Sequence, residues 1–122
     1  MLEISLLDIE SIRNFCLEKR GVTEELRFNE DSPVYKVMGK IFVIASLTPP
    51  YRINLKCDPE KAVALREEYS CVLPGWHMNK TMWNTVVLDG SVSKKLICEW
   101  IDHSYDEVVK KLPKKDKLLL GL

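Results

Sequence analysis

Apolar residues recur at helical spacing at the start of the chain, where Ile9, Ile12, Phe15 and Cys16 mark one face of a helix. Ser5-Leu6-Leu7-Asp8 fits a capping box, Ile4 and Ile9 can form a hydrophobic staple around it, and Gly21 supplies the stop. From residue 24 the period falls to two, in four runs at 24–28, 34–38, 40–47 and 51–57, broken by residues 29–33, Gly39 and Thr48-Pro49-Pro50. Links this short predict antiparallel hairpins, because a parallel crossover needs a dozen or more residues. The fourth run alternates most cleanly. Tyr51, Ile53, Leu55 and Cys57 point one way and Arg52, Asn54 and Lys56 the other, as in a sheet with one wet face.

Asp58-Pro59-Glu60 then provides a capping acceptor, a proline at the first helical position and an acid near the positive end of the dipole. Ala62, Leu65 and Tyr69 carry the buried face of this second helix. After Leu73-Pro74-Gly75 an aromatic segment at 76–83 reads as a loop leading into a fifth strand at 84–88 and a turn at Asp89-Gly90. From Ser91 or Ser93 a long helix is expected to run to about Leu112, with Ile97, Trp100, Ile101, Ser104, Val108 and Leu112 as its stripe and Pro113 as its stop. The predicted order is α-β-β-β-β-α-β-α. It describes one α+β domain over residues 1–122, with an antiparallel sheet of about five strands and the first and last helices packed on one face.

At 122 residues and 46% apolar, the chain can bury one core without disulfides or metal. Its 18 basic and 18 acidic residues cancel, so attraction to a polyanion must come from local clustering. No apolar stretch approaches the roughly eighteen residues of a membrane helix, and the acidic residues near the amino terminus argue against a secretion signal. The expectation is a soluble, cytoplasmic monomer with no membrane partner. Cys16, Cys57, Cys71 and Cys98 form no C-x-x-C and have no histidine pair nearby, so they read as free thiols with neither metal nor cofactor.

Several segments, in order, resemble the MmcQ/YjbR family: Lys36-Val37-Met38-Gly39-Lys40-Ile41-Phe42, Leu55-Lys56-Cys57-Asp58-Pro59-Glu60, Leu73-Pro74-Gly75-Trp76-His77-Met78-Asn79-Lys80, Met82-Trp83-Asn84-Thr85-Val86 and His103-Ser104-Tyr105. The resemblance spans nearly the whole chain and is most specific from Pro74 to Val86. It implies a CyaY-like fold and a DNA-binding role through a double-wing arrangement of hairpins, a role that rests on fold analogy. Two positions depart from the family: the acidic Asn29-Glu30-Asp31-Ser32 before Val34, and Ser93 where many members have proline. Frataxin-like proteins share the architecture and bind iron through an acidic helix, but the first helix here mixes Asp8, Glu10 and Glu18 with Arg13, Lys19 and Arg20.

Asp102-His103-Ser104 has triad residue types, but consecutive helical side chains point about 100° apart and cannot form the required chain of hydrogen bonds. Ser104 reads instead as a small core position and Tyr105 as a packed ring with a bonded hydroxyl. Cys71 and His77 lack a third orienting residue. No enzyme activity is expected. Trp100 and Trp83 read as core, while Trp76 sits in a loop. The best basic surface combines Lys36, Lys40, Arg52 and Lys56 with His77, Asn79 and Lys80 of the adjoining loop, donor types suited to phosphates. The lysines at 110–117, with the single acid Asp116, read as a solvated cluster that complements a helix end. The expected function is weak, non-sequence-specific DNA binding through this sheet face and the 74–84 loop. The alternative is a small-molecule or protein interaction domain that uses the 76–83 loop.

Overall fold

In the computed structural model, which describes residues 6–26, 31–75 and 78–122, the opening helical period becomes α1 (Leu6–Leu17), with Ile9, Ile12 and Cys16 buried. The expected cap at Ser5, the staple residue Ile4 and the end of the first predicted strand at Phe28 lie outside the described residues. Gly21, at φ +73°, turns the chain into β1 (Val22–Glu25). The other period-two runs become β2 (Val34–Val37), β3 (Lys40–Ser46) and β4 (Arg52–Lys56). Asp58 accepts from the Lys61 amide and caps α2 (Pro59–Glu68). β5 (Val72–Pro74) and β6 (Trp83–Val87) follow, then α3 (Lys94–Val109) capped by Ser93, and α4 (Lys114–Leu119).

The sheet is antiparallel throughout, in the order β1-β2-β3-β4-β6-β5. It therefore has six strands where the sequence predicts about five. β5 escapes prediction because it is three residues long, ends in proline and buries only Val72, so it shows no alternation. Proline is tolerated there because β5 is an edge strand. α4 is the second addition: α3 ends at Val109, short of the predicted Leu112, and the Pro113 carbonyl accepts from the amides of Asp116 and Lys117 and so starts a new helix.

Residues paired directly across an antiparallel ladder share a face. One face carries Tyr35, Val43, Leu55 and, on the neighbouring rung, Ala45, Ile53, Val86 and Val72. α1 and α3 cover it, joining Ile9, Ile12 and Cys16 to Ile97, Trp100, Ile101 and Val108 in one core. The opposite face carries Lys36, Arg52, Asn54, Lys56, Trp83 and Thr85, as the alternation in the fourth run requires. A register shift between Tyr35 and Lys36 leaves Phe42 as the extra residue of β3, and its ring turns into the core, edge-on to Tyr105 with centroids 5.5 Å apart.

Candidate nucleic-acid interface

The β3–β4 ladder stops at Val43 opposite Leu55, just where the bulge displaces Phe42. Ser104 of α3 fills the gap: its Oγ donates to the Phe42 carbonyl at 2.6 Å and accepts from the Lys56 amide at 2.9 Å. A single buried hydroxyl thus replaces a missing rung and fixes the root of Lys56. The next amide, Cys57, donates to the Met82 carbonyl at 2.8 Å and ties the same point to the approach of β6.

Lys56 opens into a groove of about 530 Å³ at this end of the sheet. Lys40 enters from the β2–β3 turn and Lys111 from beyond the end of α3, while Ile41, Trp83 and Leu112 supply apolar lining. Among the described residues none of these three lysines has an ion-pair partner, whereas nearby Lys110 is held by Glu107 at 2.6 Å. Partial burial holds the Lys56 ammonium below the usual lysine range, the positive charges of Lys111 and Lys110 add to the effect, and Glu107 opposes it. Three cations of one sign therefore converge on an open concavity.

Lys36, Arg52, Asn79 and Lys80, also singled out by sequence, do not line this groove. Lys36 shares the face but is paired with Glu25 at 2.9 Å and is largely covered. Arg52 lies four residues from Lys56 on β4, about 13 Å away at ~3.3 Å per residue, and donates to the Pro50 carbonyl. Asn79 accepts from the Thr81 amide at 2.9 Å, an Asx turn that shapes its own loop. Lys80 lines a different groove with Glu60 and Arg66, and its carbonyl accepts from Arg66. His77 and Trp76 lie outside the described residues. Trp83 and Trp100 are buried, Trp100 edge-on to Tyr69. Lys111, read from the sequence as part of a solvated cluster, is the residue that reasoning missed. Its place next to Leu112 in the apolar stripe was visible, but the meeting of this helix end with the β2–β3 turn was not.

The Asp102-His103-Ser104 side chains reach three separate parts of the chain. Asp102 pairs with Lys19, the His103 Nε2 accepts from the Asp58 amide at 3.2 Å, and Ser104 spans β3 and β4. Burial, with Lys61 nearby, holds the His103 imidazole below its usual range. All four cysteines are free, and burial pushes the Cys16 thiol up to about 12 and the Cys57 thiol up to about 11, which suppresses the nucleophilic thiolate.

The YjbR family model matches residues 17–107. The chain is 31% identical to YjbR of Escherichia coli K12 over 115 residues, covering 93% of this chain and 98% of that protein. It is 35% identical to YbdF of Escherichia coli O157:H7 over 109 residues, covering 88% and 89%. Among solved structures, a DUF419 domain protein of Deinococcus radiodurans superposes with a TM-score of 0.86 at 35% identity, covering 93% of this chain and 88% of that one. A Pseudomonas syringae protein at 22% identity, covering 80% and 96%, shares the fold with a TM-score of 0.70.

Proposed function

The chain belongs to the YjbR family, and from the lysine-rimmed groove built on that fold we propose a non-catalytic module that binds DNA weakly, through its phosphates and without reading sequence. The observation that carries this reading is the convergence of Lys40, Lys56 and Lys111 on one open groove with no ion-pair partner among the described residues. Burial first and repulsion from Lys111 second disfavour the charged form of Lys56, and a bound phosphate would favour it. Lysine presents a point charge without the planar fork that reads guanine edges, which favours backbone contact. The contact surface centres on Lys40, Lys56 and Lys111, while Arg52, Asn79 and Lys80 do not line the groove.

Neutralising about three phosphates gives log K a slope of about −3 against log salt, with Kd in the ~10⁻⁴ to 10⁻⁶ M range of non-specific contacts. Fluorescence anisotropy on one duplex at several salt concentrations tests this. Lys40→Glu combined with Lys56→Gln is expected to weaken binding at least tenfold and bring the slope to about −1. Equal binding by both proteins would place the DNA surface elsewhere, and no binding by the wild type at low salt would remove the reading. The apolar lining from Ile41, Trp83 and Leu112 favours a second reading, an anionic small molecule with a hydrophobic body. A rise in Tm with aromatic carboxylates, in a protein that ignores DNA, would select it.

A further inference from the structure

α4 carries a surface that the groove does not use. Lys115, Leu118 and Leu119 stand three and four positions apart, on one helical stripe. Leu118 and Leu119 are 62% and 75% exposed, and Leu122 beyond the helix is 66% exposed. Their exposure does not come from a loose helix. Leu120, on the opposite side, is buried, its carbonyl accepts from Arg20 at 3.1 Å, and the Leu122 amide closes onto the Lys117 carbonyl at 2.9 Å. Gly21 makes room for this anchor, since a Cβ there would meet Leu120 Cδ2 at 2.6 Å. The seat therefore holds the leucines outward on a short helix that also carries the exposed Lys114 and Lys115, with Lys117 and the single acid Asp116.

We propose that this leucine tip and the lysines of α4 form a peripheral docking surface for an anionic lipid bilayer. Convex apolar side chains enter the interfacial region of a bilayer without a preformed complementary pocket, while lysine ammoniums stay at the headgroups on their flexible stems. The basic residues of the segment are all lysine, suited to a diffuse anionic surface and lacking the bidentate fork that recognises individual carboxylates on an acidic protein. Nucleic acid would satisfy the lysines and leave the leucines in water. No helix among the described residues is long and apolar enough to cross a membrane, so the contact is peripheral. The sequence-based expectation of no membrane partner rested on the lack of such a span, and a surface contact needs none.

Co-sedimentation with vesicles of phosphatidylglycerol and phosphatidylcholine, against phosphatidylcholine alone, tests the proposal. The full chain is expected to bind the anionic vesicles at low salt and to stay in solution with the neutral ones. Leu118→Ser with Leu119→Ser is expected to reduce partition at least tenfold while leaving Tm and duplex binding unchanged. Lys114→Glu with Lys115→Glu is expected to reduce it about twenty-fivefold or more, at roughly fivefold for each lysine near an anionic leaflet. Equal binding to neutral vesicles, no binding to anionic ones, or a leucine variant that binds like the wild type would each overturn the proposal. So would a dimer in sedimentation velocity that the leucine variant abolishes, because a second copy would then cover the tip.

Discussion

Ser104 is a small residue with two jobs. The sequence places it correctly in the buried stripe of the long helix, and Tyr105 beside it correctly as a packed ring with a bonded hydroxyl, because periodicity reports burial directly. The bridging role of Ser104 was hidden, since it exists only where the Phe42 bulge separates two strands that the sequence treats as a regular ladder. Ser104→Ala is expected to leave the Phe42 carbonyl and Lys56 amide unpaired and to cost about 1–3 kcal/mol in urea unfolding. His103 offers a pH signature. Its folded value lies below the ordinary 6.5, for burial and for Lys61, and its Nε2 can accept from Asp58 only while neutral. The unfolded chain therefore binds the proton first as pH falls, so the contribution is complete above pH 6.5 and is lost as pH drops through the window below it. Comparing unfolding at pH 7.5 and 5.5, the wild type is expected to lose more stability than His103→Gln. Equal losses would show that the imidazole does not carry the effect.

At the level of elements, the hairpins and capped helices were legible because each is set by local chemistry: Asp58-Pro59 for α2, Ser93 for α3, and Gly39 for the β2–β3 turn. Met38 and Gly39 form the two-residue turn with φ 49° and 82°, the positive values that a primed turn demands. A Cβ on Gly39 would meet nothing within 4 Å, so Gly39→Ala isolates the conformational cost. Thermal unfolding is expected to show a loss of about 1–2 kcal/mol, and a neutral result would mean that the turn relaxes to another type. β5 and α4 were not legible, and for opposite reasons. β5 is recruited by its neighbour β6 with little pattern of its own, while α4 is held by one buried leucine among lysines and offers almost no stripe to read.

For the molecule as a whole, the family resemblance and the α+β class were readable from motifs spread along the chain, while the groove depended on parts far apart in sequence: the β2–β3 turn, the end of β4 and the end of α3. The same long reach appears where α1 gives way to β1. The Arg20 carbonyl accepts from the Tyr105 hydroxyl at 2.6 Å, Lys19 pairs with Asp102, and Arg20 donates to the Leu120 carbonyl, contacts separated by 85, 83 and 100 residues. Each such contact closes a loop of most of the chain, whose entropy must be lost before the contact returns anything. This corner is therefore expected to close after the main folding barrier, and its bonds to act on how slowly the native state comes apart rather than on how fast it forms. Tyr105→Phe is expected to speed unfolding about fivefold, from a hydrogen bond worth ~1 kcal/mol, with the refolding arm of the chevron unmoved. A slowed refolding arm would put the corner in the nucleus. Lys19, Arg20 and Tyr105, none of which lines the groove, would on this account set the lifetime of the fold that presents it.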